Sequence, residues 1–343
     1  MVGAFKLPSH CFVIAEAGVN HNGNLDMALQ LVDAAADAGA DAVKFQTFKS
    51  EKLVSPKASK ANYQVETTGG SESQLDMIRR LELSTSDHEA IIAHCHKREI
   101  CFLSTPFDLE SVDLLESLNV PAYKLPSGEI TNLPLLKHVA KTEKMIFLST
   151  GMSYLGEVEQ AVNAIRSTSN SEIILLQCVS NYPADPSDVN LRAMRTMAQA
   201  FKVEVGYSDH TPGDAVTLAA VALGARVIEK HFTLNRELPG PDHRSSLEPE
   251  EIAAMVRSIR TVEDALGTGI KAPSKSEANT ASVARKSLVA TRDLQAGKKL
   301  SAADIAILRP GTGLAPSLFE NIIGRTLGSD VEAGTPLQWE DLS

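Results

Sequence analysis

Eight short apolar runs rich in Val, Ile and Phe recur along the chain: FVIAEAG from 12, DAVKFQTF from 41, CFLSTPF from 101, AYKLPSG from 122, MIFLSTG from 145, IILLQCVS from 173, VEVGYSD from 203 and VIEKHFT from 227. Their length and β-branched content fit buried strands. Between them apolar residues return every three to four positions, the period of an amphipathic helix. In NLDMALQLVDAAADAGA, Asn24 is placed to cap and Gly39 to stop a helix, and in STSDHEAIIAHCHKR the spacing of Ser86 and Glu89 predicts a capping box. Strands alternating with helices in this way predict an α/β fold, a (β/α)8 TIM barrel from about residue 10, giving a catalytic domain over 1–267.

After residue 267 the texture changes. LGTGIKAPSKSEANTASVARKS is rich in Gly, Pro, Ser and Lys without clear periodicity, which predicts an exposed linker over 268–284. Residues 285–343 hold short strand-like runs and repeated Gly turns. So small a module is expected to bury little core alone and to lean on a barrel, its own or a partner's.

Polar residues gather where the predicted strands end: Glu16, Lys44 and Gln46, Ser104 and Thr105, Lys124 with Ser127 and Glu129, Ser149 and Thr150, Ser180, Ser208 to His210, and Glu229 with His231. Barrel enzymes build their active sites at the C-terminal strand ends, so this pattern marks a candidate site. Along VIEKHFT alternate residues share a face, which turns Glu229 and His231 together and Lys230 away. His210 closes the preceding strand. Two imidazoles on neighbouring strands either hold a divalent ion with positions left for water and substrate, or cap their strands.

Lys44 and Lys124, with hydroxyls at Thr105, Ser127, Ser149 and Ser208, form either a cradle for a phosphate or carboxylate or a set of ion pairs within the barrel. Glu16 and Glu129 are candidate proton carriers or structural carboxylates. In GVNHNGN, His21 and Asn22 either meet a substrate or shape a turn. HCHKR offers no comparable site, because residues two apart on a helix point to different sides.

The formal net charge of −10 argues against nucleic-acid binding. No apolar run approaches the roughly 20 residues of a membrane span, and the N-terminus lacks a signal-peptide core, so a cytoplasmic protein is expected. Cys11, Cys95, Cys101 and Cys178 sit in apolar runs without a C-x-x-C pair and read as buried thiols.

Taken in order, IAEAGVNHNGN, GADAVKFQTFK, FLSTPFD, YKLPSGE, LSTGM, GYSDHT, EKHFT and PGPDH resemble the sialic acid synthase family, and the RPGTG context resembles its antifreeze-like (SAF) domain. The resemblance spans nearly the whole chain. It implies condensation of phosphoenolpyruvate with an N-acetylated amino sugar and water, releasing phosphate, and a requirement for Mn2+ or Mg2+. It implies that His210 and His231 hold the metal, and that Lys44, Thr105, Lys124, Ser127, Ser149, Ser180 and Ser208 hold phosphoenolpyruvate. Gln46, Glu129, Tyr182 and Asp242 would face the sugar. Arg309 would reach from the SAF domain of one subunit into the barrel of the other, giving a domain-swapped homodimer. Ser180 and Thr312 depart from the Asn found in some relatives at these positions.

N-acetylmannosamine is the sugar expected first, with a 2,4-diacetamido-2,4,6-trideoxymannose of the legionaminic type as the alternative. Two other readings stand beside this one: a Schiff-base aldolase using Lys124 or Lys44, and a carbohydrate- or ice-binding protein with an idle barrel.

Overall fold

The computed structural model describes residues 5–170 and 172–343. Eight strands carry the first unit: β1 (Phe12–Gly18), β2 (Ala42–Thr47), β3 (Cys101–Pro106), β4 (Ala122–Leu125), β5 (Met145–Ser149), β6 (Ile173–Cys178), β7 (Glu204–Asp209) and β8 (Val227–His231). All pairings are parallel in the order β3-β2-β1-β8-β7-β6-β5-β4. β3 and β4 pack side by side and close the ring. This is the predicted TIM barrel.

Strand parity sorts the side chains. Outward residues such as Val13, Val43, Tyr123, Leu148 and Ile228 form the large core shared with the helices. Inward residues Phe12, Ile14, Ala42, Leu103, Phe147, Leu176 and Val227 fill the barrel, with Phe12 stacked on Phe147 at 6.0 Å between centroids. Gly206 faces inward where a Cβ would lie 2.3 Å from the Val227 carbonyl and 2.7 Å from Leu176. Glycine is what lets β7 approach so filled a centre.

The helix Leu25–Asp37 starts where expected: the Asn24 side chain accepts from the Met27 N–H, and Ala28, Leu31, Val32 and Ala35 form its buried face. The helix Thr85–Lys97 starts two residues earlier than predicted. Ser84 and Asp87 make the capping box, rather than Ser86 and Glu89. The reason is His88, which is buried with one ring nitrogen on the Ser84 carbonyl and the other on Thr47. Between β2 and this helix lies an insertion of three short helices, Ser50–Leu53, Asn62–Thr68 and Gln74–Arg79.

Residues 268–343 form a second compact unit. Strands β9 (Ser287–Ala290) and β10 (Ile305–Leu308) pair antiparallel. Contrary to the expectation of little core, Leu288, Leu300, Ile322, Leu327 and Leu337 are buried together. The stretch expected as a plain linker contains the exposed helix Ala278–Ala284, preceded by a reciprocal cap between Ser274 and Glu277. Cys11, Cys95 and Cys178 are buried free thiols, and Cys101 is partly covered. Among the described residues no helix is long and apolar enough to cross a membrane.

Candidate active site at the C-terminal mouth of the barrel

The inward positions change character along each strand. On β2 the sequence runs Ala42, Lys44, Gln46; on β4, Ala122, Lys124; on β8, Val227, Glu229, His231; on β1, Ile14, Glu16. The layer above the apolar plug is therefore charged. Lys44 Nζ lies 2.7 Å from Glu16 Oε2 and 3.9 Å from Glu229 Oε2, and donates to Thr105 Oγ1 at 2.8 Å. Lys124 Nζ lies 3.5 Å from Glu229 Oε1, which also accepts from Ser208 Oγ at 3.0 Å. Glu229 thus spans two lysines that come from non-adjacent strands.

Electrostatics separate the two carboxylates. Burial disfavours the charge on both, but Lys124 and Lys44 outweigh it at Glu229 and hold that carboxyl well below the usual range. At Glu16 burial wins over Lys44, helped by the negative Glu229, and pushes the carboxyl up to about 7. Burial also lowers Lys124.

Above this layer is a cavity of about 470 Å³. It is lined by Glu16, Lys44, Gln46, Thr105, Lys124, Ser127, Ser149, Ser180, Tyr182, Ser208, His210, His231 and Asp242, all of them expected from sequence. Two of the hydroxyls converge on Gly151. Its N–H donates to Ser127 Oγ at 2.9 Å, and a Cβ there would lie 2.4 Å from Ser180 Oγ and 2.8 Å from Ser127 Oγ. Ser149 Oγ is buried without a partner. Free hydroxyls beside two lysines are the donors an anionic oxygen needs.

On the other side the His210 and His231 rings lie 5.4 Å apart between centroids, with Tyr182 over both. The Val179 carbonyl accepts from His210 Nδ1 at 2.7 Å, which leaves Nε2 with the lone pair in the neutral ring. His231 is held well below the ordinary imidazole range by burial and by His210, and its Nδ1 is buried without a partner. Against burial, Cys178 and the Val179 carbonyl shift His210 the other way, upward; in its neutral form it would join His231 in offering lone pairs that suit a divalent ion with open positions. Among the described residues no group of three or more His, Cys, Asp or Glu side chains gathers for a metal.

One expected residue of the barrel lies elsewhere. Glu129 sits on the turn after β4, part-exposed, bonded to Asn132 at 2.6 Å, and does not line the cavity. Burial raises its carboxyl. Arg309 is exposed in the second unit. His21 is buried, with its Nδ1 accepting from the Gly23 N–H at 3.0 Å, and belongs to the turn rather than to the cavity. His94 pairs with Asp33 on the barrel exterior.

Sequence reading missed the remaining wall. Val19, Phe48, Leu53, Val54, Met77, Ile78, Leu81 and Phe107 line the outer part of the cavity, most of them from the insertion after β2. Glu229 was legible as the facing partner of His231, but its bridge between lysines was not.

The NeuB family model matches residues 31–271 and the SAF domain model matches 285–343. An N,N'-diacetyllegionaminic acid synthase of Campylobacter jejuni is 51% identical over 91% of this chain and 94% of its own length. One of Legionella pneumophila is 48% identical over 97% and 94%. The crystal structure of the N-acetylneuraminic acid (sialic acid) synthetase of Leptospira borgpetersenii superposes with a TM-score of 0.71 at 35% identity, over 82% of this chain and 94% of that one. With its barrel, its furnished strand ends and these relatives, the chain belongs to the NeuB family of sialic-acid-type synthases and ends in a SAF domain.

Proposed function

We propose that the enzyme condenses phosphoenolpyruvate with 2,4-diacetamido-2,4,6-trideoxymannose and water, giving N,N'-diacetyllegionaminate and phosphate. One cavity supplies lysines and hydroxyls for an anion, two imidazoles, and an apolar outer wall. That wall carries the choice of sugar. A 6-deoxy sugar presents a methyl group where N-acetylmannosamine presents a hydroxymethyl, and Met77, Ile78 and Leu81 offer no partner for a hydroxyl. The names of the Campylobacter and Legionella relatives favour the same alternative over N-acetylmannosamine, the sugar expected first.

Lys44 and Lys124 offset the phosphate and carboxylate charges, and Ser127, Ser149, Ser180 and Ser208 donate to their oxygens. Gln46, Tyr182 and Asp242 face the sugar, and burial raises the Asp242 carboxyl to about 6. A divalent ion, Mn2+ or Mg2+, held by His210 and His231 supplies Lewis acidity to the sugar aldehyde oxygen. C3 of phosphoenolpyruvate attacks the aldehyde carbon, water adds at C2, and phosphate leaves with its bridging oxygen. Glu16, poised near neutrality in the charged layer, is the proton carrier of this scheme.

Phosphate release with each sugar, in Mn2+ and in EDTA, tests the reading. Turnover at least 10-fold faster with the trideoxy sugar, abolished by chelation or by His231→Ala, is expected. Preference for N-acetylmannosamine would overturn the sugar assignment, and activity in EDTA the metal. Borohydride with pyruvate should trap no adduct on Lys124 or Lys44, and label from ¹⁸O water should stay out of the phosphate.

The proposed setting is a cytoplasmic homodimer in which Arg309 completes the partner's site. Mixing inactive Arg309→Ala and His231→Ala proteins should then restore activity, because exchange of subunits leaves one site with both residues intact.

A further inference from the structure

Behind the strand ends that carry the two histidines lies a charged pair which the reaction does not touch. The parity that turns His231 inward turns Lys230 outward, and Asp209 does the same between Ser208 and His210. Asp209 and Lys230 are register partners on β7 and β8, and Lys230 Nζ donates to Asp209 Oδ2 at 2.9 Å. Both side chains are almost wholly buried, at 0% and 1% exposure.

Asp209 is saturated with donors. Tyr207 OH reaches it at 3.0 Å, the Thr211 N–H and Oγ1 at 2.8 Å each, and Thr217 Oγ1, from the helix Ala215–Ala222, at 2.6 Å. Lys230 also donates to the Thr211 carbonyl. The backbone directly after His210 is therefore tied to Lys230, the residue directly before His231, through the Thr211 carbonyl, while the Thr211 N–H and hydroxyl hold Asp209, the partner of Lys230.

Stability alone is a poor account of this arrangement, because an apolar pair of similar volume is often at least as stable as a buried ion pair. What an apolar pair lacks is direction. It cannot fix the Thr211 carbonyl, N–H and hydroxyl against β8, and so cannot fix the backbone that aims His210. Among the described residues the backbone meets the His210 ring at one place, the Val179 carbonyl that accepts from Nδ1.

We propose that Asp209 and Lys230 are a positioning pair that sets the separation of the His210 and His231 imidazoles, and through it the affinity for the divalent ion. The proposal rests on reading those histidines as the metal ligands. Lys230→Met tests it, since Asp209 keeps four hydrogen-bond donors in that variant and the barrel has no orphaned carboxylate. Titration with Mn2+ alone, followed by calorimetry or by the Mn2+ paramagnetic resonance signal, is expected to show affinity weakened about 10- to 100-fold. At saturating Mn2+, kcat should return to within about 3-fold of the parent, with the defect confined to the metal requirement.

Leu31→Ala serves as the stability control, because it opens a cavity behind β1 without touching the pair. If Mn2+ affinity falls equally in Leu31→Ala and Lys230→Met for an equal loss in Tm, the pair is merely structural and the proposal is overturned. Should Lys230→Met not fold, Thr211→Val removes one hydroxyl from Asp209 and is expected to weaken Mn2+ about 3-fold; unchanged affinity there overturns the proposal as well. A parent protein that binds no Mn2+ removes the metal reading and this inference with it, whereas normal binding by both parent and Lys230→Met removes the inference alone.

Discussion

Lys44 and Glu16 are register partners on β2 and β1, and their side chains meet inside the barrel with Nζ 2.7 Å from Oε2, at 3% and 2% exposure. Burial pushes the Glu16 carboxyl up to about 7, so at neutral pH this partner of Lys44 is only partly ionised. An arriving phosphate adds negative charge and raises the carboxyl further.

Binding of phosphoenolpyruvate between pH 7 and 8 should therefore take up as much as one proton. Calorimetry in buffers of different ionisation enthalpy measures it directly. Glu16→Gln should bind without proton uptake, and uptake unchanged in that variant would place the proton elsewhere.

Gly151 lets two hydroxyls converge, because any Cβ there would fall 2.4 Å from Ser180 Oγ and 2.8 Å from Ser127 Oγ. Gly151→Ala is expected to raise KM for phosphoenolpyruvate about 100-fold, the order of effect for an ångström-scale misplacement. The sugar KM and Tm should change little. An unchanged phosphoenolpyruvate KM would remove these serines from the anion site.

Met77 is buried at 2% exposure in the apolar outer wall. Met77→Gln keeps its length and adds a polar end. For the trideoxy sugar kcat/KM should fall about 10- to 200-fold, the worth of about one methylene-sized contact. N-acetylmannosamine should lose less, and the ratio of the two is the readout. Equal losses would show that this wall does not select the sugar.

Acid should destabilise the barrel through His21 and His243. Burial lowers each imidazole to about 4. Above about pH 6.5 both are neutral in folded and unfolded chains, so they cost nothing. As pH falls from there to 4 the unfolded chain takes up protons that the native state refuses, and stability drops by about 3 kcal/mol per histidine. Tm measured from pH 7 to 4 should show this slope, and His21→Gln should flatten it.

The sequence alone determined the eight strands, their alternation with helices, and the turn to polar residues at the strand ends, because strand parity and helical period are local properties written in consecutive side chains. Asn24 as a cap was local in the same sense, whereas the cap at Ser84 depended on where His88 could be buried. It also placed His210 beside His231, since consecutive strands in such a barrel are neighbours.

Only the tertiary structure decided what meets across the barrel. Glu229 joins Lys44 and Lys124 from strands that do not touch one another, and the spread between Glu16 and Glu229 arises from that shared charge and from burial. Glu129, two residues from Ser127, turned away because the chain leaves β4 through a short helical turn. The apolar wall came from an insertion with no strand to anchor it in the pattern. Periodicity reports which face a residue occupies, while the partners on that face are set by closure of the ring.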